Sequence, residues 1–532
     1  MTAVSGVRRR RHLLLVAAGI IAAAGVAYEL SLMLLGTVTV GSTERANAVV
    51  LGAAMFGMGV GATAGGRLTR HPVEAFVGIE CGLAVLGASA APFLYWTWAT
   101  LDAFWGPLLG VAFVLGACIG AEMPLLAALN DRLSRQSAAA VISAYTAADY
   151  FGALLGAIAF AFIIRPRLGL VDGTILIAGF NIVVAAAVAF IVPSRRSAPL
   201  ATIVAVAALA LVGVAFNAQT VTDNGRQRLY RDPIVAYRDT GLQEVVVTSR
   251  THPGGQVDTR LFLDGDLQVS SIDSHRYHEA LVHPAVSMAA AQRSDAELEV
   301  LVLGGGDCVA VREILRHSTV AHVTIVELDP QVTEVATSVP ALKALNEGAC
   351  DDERVTVVND DAFTWVRVQR DALAAADRFD VVVADFPDPD SPALGRLYSV
   401  ELYEMILGVI SPDAVLVVQC GSPYFAPEAY WTCDATLDAA GWSSVPYHVD
   451  VPSFGDWGFH LAIAAGSSQT PAGPGRLSLA PDLDLRFLDE QVLLAAQIFP
   501  ADTARERYDV RPSTILDPAI VEAAQSAWVG YD

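Results

Sequence analysis

Seven apolar stretches, each of about bilayer-spanning length, occupy residues 13–35, 48–66, 74–97, 106–128, 140–164, 171–192 and 199–217. So many long apolar segments in series do not fit one soluble core, so residues 1–217 read as a polytopic domain of about seven helices with the lipid bilayer as partner. Gly and Ala recur within the stretches, as in GMGVGATAGG (57–66), a composition that lets helices approach closely in lipid. Arg8 to Arg11 precede the first stretch and no clean small-residue cleavage site follows, so a retained anchor is expected rather than a signal peptide. The short loops RLTRHP (67–72), NDRLSRQ (130–136) and PSRRS (193–197) are basic and predict a cytoplasmic side, while the loop with Arg165 and Arg167 dissents.

The two parts of the chain differ in charge. Residues 1–220 carry 13 Arg, no Lys and 9 acids, whereas the remainder carries 21 basic and 47 acidic residues. A soluble portion with a net charge of −26 argues against a nucleic-acid partner, which needs clustered Lys and Arg, and suits a cationic ligand. The six cysteines, Cys81, Cys118, Cys308, Cys350, Cys420 and Cys433, form no CxxC and no Cys/His ligand spacing. Neither a disulfide framework nor a metal site is therefore expected.

Residues 218–298 contain the period-two runs QEVVVTS (243–249) and RLFLDGDLQVS (260–270) around the turn HPGG (252–255), which predicts a small antiparallel β unit. From residue 299 to 466 short apolar strands alternate with helical segments: EVLVL, HVTIVE (322–327), RVTVV (354–358), FDVVVA (379–384), AVLVVQ (414–419) and FHLAIA (459–464). That alternation predicts a Rossmann-like parallel sheet covered on both faces. Residues 467–532 read as a linker, GSSQTPAGPG (466–475) by composition, and a helical tail beginning at RFLDEQVLLAAQIFP (486–500).

Chemistry-bearing residues gather at predicted strand ends. Gly304, Gly305 and Gly306 follow the first strand, where glycines let backbone approach a nucleotide, and Glu327 ends the next strand 20 residues after Asp307. That spacing suits a carboxylate on a ribose hydroxyl pair. Asp361 lies just past the third strand, placed to accept from an adenine amino group, and DFPDPDSP (385–392) crowds Asp385, Asp388 and Asp390 into one loop after the fourth. Solvated turns explain any one of these acids. They do not explain why all of them fall at one sheet edge.

With these motifs in view, residues 230–500 resemble the spermidine synthase (polyamine aminopropyltransferase) family, in a form fused to a multi-span N-terminal domain. The resemblance runs through LFLDGDLQVSSIDSHRYHEALVHPA (261–285), GGGD, VELD (326–329), DFPDP, VPSFGDWGF (451–459) and the segment ending AAQIFP. It implies that Gln243, Glu327, Asp361, Ala362, Pro392 and the three glycines hold the nucleoside. His278, Asp307, Asp388 and Gln419 would contact amine groups, and Asp385 would accept the proton with help from Tyr277. The implied co-substrate is decarboxylated S-adenosylmethionine, whose aminopropyl group passes to putrescine or a related amine to give spermidine and 5'-methylthioadenosine, with no prosthetic group and no metal. Members of the family commonly associate as homodimers or tetramers.

The sequence departs from the family's pattern at Cys308 and Val309, where glycines usually follow the acid, at Leu242 and Phe454, where tyrosines are usual, and at ALGR (393–396). These changes fall mainly on the acceptor side. Two other readings use the same residues: a methyltransferase taking intact S-adenosylmethionine, and a non-catalytic polyamine-binding or transport-coupled module. Asp307 separates the first, because it repels the carboxylate of the intact cofactor and attracts the lone ammonium of the decarboxylated one. Within the apolar part, Glu29, Glu80, Glu122 and Asp149 mark either a polar path or interhelical hydrogen bonds. The expected location is the cell membrane. A cytosolic donor argues for a catalytic domain in the cytoplasm, whereas seven crossings from a cytoplasmic N terminus argue the opposite.

Overall fold

The computed structural model of the protein describes residues 2–40, 44–101, 103–133, 138–192, 196–293, 297–374, 377–465 and 477–527. The linker 466–475 and parts of the loops 130–136 and 193–197 lie outside the described residues. The chain divides into two compact units, Met1–Pro233 and Ile234–Asp532. The first unit thus runs past residue 217, because its last helix continues to Leu229.

The first unit contains α1 (Thr2–Val40), α2 (Glu44–Leu68), α3 (Pro72–Leu101), α4 (Trp105–Leu133), α5 (Ala138–Ala159), α6 (Arg165–Ile191) and α7 (Ser197–Leu229). Among the described residues, six segments are long and apolar enough to cross a membrane, and one of them, Ala140–Ile191, has 52 residues. At about 1.5 Å per residue, that segment is more than twice as long as a hydrocarbon core of ~30 Å. Gly169 resolves the excess: its φ of 71° and ψ of −174° break the helix, so two helices flank it. Arg165 and Arg167 sit just before this break.

Small residues bring the helices together. A methyl group on Gly61 would lie 1.9 Å from the carbonyl oxygen of Ala117, and one on Gly152 would lie 2.1 Å from that of Gly19. Backbones approach at the α2–α4 and α1–α5 contacts only because these Cβ atoms are missing, as the Gly/Ala-rich pattern predicts. Large apolar side chains such as Phe162, Phe190 and Phe216 face outward, as they would toward lipid. Of the acids in these helices, Glu80 is fully buried and its Oε2 accepts a hydrogen bond from Asn181 Nδ2 (2.8 Å), whose Oδ1 accepts from Tyr28 (3.3 Å). Glu80 therefore takes part in an interhelical hydrogen bond.

The second unit opens with a four-stranded antiparallel sheet of β1 (Ile234–Asp239), β2 (Glu244–Thr251), β3 (Val257–Leu263) and β4 (Asp266–Ser270). The run 260–270 is two strands, because Asp264 and Gly265 take positive φ (50° and 97°) and turn the chain. Helix α8 (Ser274–Gln292) then leads into a seven-stranded sheet of β5 (Leu298–Gly304), β6 (Val320–Glu327), β7 (Val355–Asn359), β8 (Phe379–Asp385), β9 (Ile410–Gln419), β10 (Trp442–Val451) and β11 (Gly455–Ala464). Its order is β10-β11-β9-β8-β5-β6-β7.

Strands β5 to β9 pair in parallel, with Leu301, Leu303 and Val382 in the core on one face and Val300, Val302 and Val381 in the core on the other. Burial on both faces accounts for their near-continuous apolar sequence. The expectation of a purely parallel sheet fails at one edge. Only three residues separate β10 from β11, too few for a crossover, so the two form a hairpin and β11 runs antiparallel to β9. Among the described residues, the tail forms the α-helices Glu490–Ala495 and Ala519–Ala527 and a 3-10 turn at Arg505–Arg507.

Candidate active site

Register brings the site together. β5 pairs with β8 so that Gly304 lies opposite Asp385, and β6 pairs with β7 so that Glu327 lies opposite Asn359, two residues before Asp361. β8 pairs with β9 through Ala384 and Val418, which sets Gln419 level with Asp385. Four separate motifs therefore converge on the carboxyl edge of one sheet, where open α/β folds bind ligands.

The glycine loop is shaped by what it must avoid. Gly304 and Gly305 hold φ of 81° and 65°, a Cβ on Gly304 would meet the Asp385 carbonyl oxygen at 2.3 Å, and one on Gly306 would meet the Glu327 carboxylate at 2.6 Å. Glu327 is fixed by backbone: its Oε2 accepts from Gly306 N (3.1 Å) and its Oε1 from Asp329 N (2.9 Å). Its pKa is nonetheless pushed up to about 7, chiefly by burial and further by the Asp307 and Asp329 charges. Asp307 Oδ1 accepts from Val309 N (2.8 Å), and burial raises its pKa too. Gln243, just before β2, donates to Asp329 Oδ2 (3.2 Å), two residues from Glu327.

Asp361 caps the helix Ala362–Ala372, its Oδ1 accepting from Thr364 N (2.9 Å) while its Oδ2 takes a charged hydrogen bond from Arg396 (2.5 Å). Ala362 is buried at the start of that helix, and Pro392 is the exposed first residue of the short helix Pro392–Gly395.

On the other side of the loop lies the aspartate cluster. Tyr277, on α8, donates to Asp385 Oδ1 at 2.6 Å, and its ring is held edge-on by Phe459 (5.3 Å) and Phe454 (6.0 Å). The pKa of Asp385 rises to about 7, first through burial and then through the charges of Asp307 and Glu327, against the opposing pull of the Tyr277 hydrogen bond. Asp388 rises to about 6, through burial and the nearby Asp390 and Asp266, while Gln419 opposes the shift. Gln419 donates to the Phe386 carbonyl (2.5 Å) and Tyr398 (2.6 Å), and Tyr398 donates to the Pro387 carbonyl (2.9 Å), so the DFPDP loop is braced by hydrogen bonds from below.

His278 packs edge-on against Tyr277, with ring centroids 4.9 Å apart. Its Nδ1 pairs with the Ser274 carbonyl (2.7 Å), and burial together with the Arg312 charge lowers its pKa to about 4, leaving it neutral at physiological pH.

Asp266, Asp329, Tyr398 and Arg396 were not singled out from sequence. Asp266 falls in the quoted DGD turn and Arg396 in the ALGR departure, so a signal existed for both. Asp329 closes the quoted VELD motif, so a signal existed there too, whereas Tyr398 has none beyond proximity to a motif.

The expectation of no disulfide also fails. Cys308 is bonded to Cys350, with Cα atoms 5.6 Å apart, and Cys420 to Cys433. Pairs separated by 42 and 13 residues in sequence leave no spacing signature; the fold brings them together. Cys420 and Cys433 also lie near His460 in a buried group with metal-ligand distances, but a bonded pair has no thiolate to offer, and no metal is assigned.

A doubly covered α/β sheet with a glycine loop, a buried strand-end acid and an aspartate loop at its carboxyl edge has the form of a ligand-binding α/β enzyme. Comparison with known proteins narrows the class. Residues 274–471 match the family model described as a spermine/spermidine synthase domain. The chain is 42% identical over 530 residues to polyamine aminopropyltransferase 1 of Streptomyces coelicolor, covering 98% of this chain and 96% of that one. It is 40% identical to the polyamine aminopropyltransferase of Mycobacterium tuberculosis, covering 98% and 97%, and 32% identical to that of Oceanobacillus iheyensis, covering 98% and 99%. A crystal structure of spermidine synthase with the transition-state analogue AdoDATO aligns with a TM-score of 0.42 at 22% identity, over 50% of this chain and 85% of that one. The chain belongs to the polyamine aminopropyltransferase family, and the similarity extends through the apolar N-terminal unit.

Proposed function

We propose that the protein transfers the aminopropyl group of decarboxylated S-adenosylmethionine to putrescine, giving spermidine and 5'-methylthioadenosine. The observation that carries the reading is the convergence of Asp307, Glu327, Asp385 and Asp388 on one sheet edge, where burial raises the pKa of each. Carboxyls so crowded favour an occupant that brings positive charge, and both substrates are cations: one carries a sulfonium and an ammonium, the other two ammonium groups.

Glu327 would hold the ribose and Asp361 the adenine amino group, with Gln243, Ala362, Pro392 and the glycine loop around the nucleoside. Asp307 would face the ammonium of the aminopropyl arm. Asp388 and Gln419 would seat the acceptor amine, with His278 lending a neutral imidazole nearby. An alkylammonium has a pKa of about 10, so the attacking nitrogen must first lose a proton. Asp385 accepts it, with a pKa near neutrality that suits a group taking and then releasing a proton. Tyr277 orients the carboxylate and keeps one of its oxygens occupied. The freed lone pair forms the new C–N bond at the carbon next to sulfur, the C–S bond breaks, and its electrons neutralise the sulfonium as a thioether. Sulfur leaves as a neutral group, so no Lewis acid is needed.

The expected setting is the cell membrane, held by the N-terminal helices, with the catalytic unit on the cytoplasmic side where the donor is made. The break at Gly169 favours a second reading: with seven crossings and a cytoplasmic N terminus, the unit lies on the outer side. A reporter fused after residue 225 separates the two. The activity itself is tested by incubating the full-length protein with decarboxylated S-adenosylmethionine and putrescine. Spermidine and 5'-methylthioadenosine in equal amounts are expected by mass spectrometry, and a methylated product from intact S-adenosylmethionine would overturn the reading.

A further inference from the structure

The donor loop is tied at its far end by a covalent bond that the reaction does not use. Cys308 follows Asp307 directly, is fully buried, and holds a left-handed φ of 62°, a conformation that disfavours any side chain other than glycine's. Its N–H closes a turn on the Gly305 carbonyl (2.9 Å), so this strained residue sets the curvature of the stretch that carries Gly306 and Asp307. Cys350, in the turn Ala349–Asp351, is only partly buried and bonds to Cys308. The same segment reaches the loop twice more: Asn346 donates to the Asp307 carbonyl (2.9 Å), and the Leu345 carbonyl accepts from Arg312 (2.6 Å).

We propose that the Cys308–Cys350 bond is a redox-controlled modification site that fixes the donor loop, so that affinity for the nucleoside donor depends on the oxidation state of this pair. Hydrogen bonds keep the segment near the loop after reduction, and the Cys308 N–H still closes its turn on the Gly305 carbonyl, but reduction removes the covalent tie on the Cys308 side chain that helps to hold its left-handed conformation. A dithiol reductant reaches the pair from the Cys350 side. Its thiolate attacks the Cys350 sulfur, the S–S bond breaks, and Cys308 leaves as a thiolate and takes up a proton. The second reductant thiol then displaces Cys350 as a thiol and closes the reductant's own disulfide. A glycine at this position would take the same curvature with no tie, so here a crosslink that can be opened stands where backbone freedom alone would serve.

The inference rests on the reading that Gly304 to Asp307 hold the donor, and the test keeps the two apart by measuring turnover at saturating donor separately from donor KM. The full-length protein is assayed oxidised and after treatment with dithiothreitol. Reduction is expected to raise donor KM about fivefold, the order that follows when one left-handed residue is no longer enforced, with kcat changed less than twofold. Cys350→Ser should show the raised KM with and without reductant, which also separates this pair from Cys420–Cys433. Equal donor KM in the oxidised and reduced wild-type protein would overturn the proposal, as would thiol titration finding Cys308 and Cys350 free in active protein isolated without reductant. The wild-type comparison stands even if Cys350→Ser fails to fold.

Discussion

The two sides of the cleft are built on different principles. On the donor side, groups are already satisfied: both Glu327 oxygens accept backbone N–H groups, and Asp361 is shared between a helix cap and Arg396. On the acceptor side, Asp385 and Asp388 take side-chain rather than backbone hydrogen bonds, from Tyr277 and Gln419, and burial beside further carboxyls raises their pKa values to about 7 and about 6, as it raises that of Glu327 on the donor side. The donor side is a mould that precedes its ligand. The acceptor side concentrates buried carboxyls, an arrangement that favours a cationic partner.

If that contrast is right, substitutions on the two sides should fail in different ways. Asp385→Asn removes the proton acceptor and should lower kcat by about 10²–10⁴-fold with donor binding retained, as read by steady-state kinetics and donor titration. Asp388→Asn should instead raise the KM for putrescine by about 10- to 100-fold, the loss of one charged hydrogen bond, with little change in donor KM. An equal rise in both KM values would break the division of the cleft.

The third expectation concerns pH. Asp385 must be ionised to accept a proton, so kcat/KM for putrescine, which reads the enzyme before the amine binds, should fall as pH drops through about 7 in the wild-type protein. The negative charge of Asp307 helps to hold that pKa up, so Asp307→Asn should move the limb to lower pH. A limb that stays in place or moves upward would remove the proposed coupling.

The smallest effect is expected at Arg396. Its partly exposed ion pair with Asp361 bridges the catalytic loop to the adenine side, and exposed pairs contribute about 0.2–1 kcal/mol. Arg396→Gln should therefore raise donor KM by no more than about fivefold. Arg396→Lys should recover part of it.

The donor side was the more legible in sequence, for a physical reason. A close backbone approach demands glycine, a strand end demands a short acid, and both demands are local, so Gly304 to Gly306, Glu327 and Asp361 stand out in a linear reading. The aspartate loop was equally visible as DFPDP. Its surroundings were less so: Tyr398, in the turn Arg396–Tyr398, meets Gln419 at the end of β9 only in the fold, and Asp266 comes from a different sheet. The antiparallel hairpin β10–β11 escaped because an apolar strand buried on both faces looks alike in either direction. The disulfides escaped because long-range pairing leaves no spacing signal. In the apolar unit, long apolar helices followed from hydropathy, with six such segments among the described residues, whereas the break within the longest rests on the backbone of one residue, Gly169.

The account stands on the claim that this cleft selects a donor whose arm ends in a lone ammonium. Isothermal titration of the full-length protein against decarboxylated and intact S-adenosylmethionine measures that choice directly. The decarboxylated nucleoside should bind at least about tenfold more tightly, since the intact one brings a carboxylate against Asp307. Equal affinity, or tighter binding of intact S-adenosylmethionine, would contradict it.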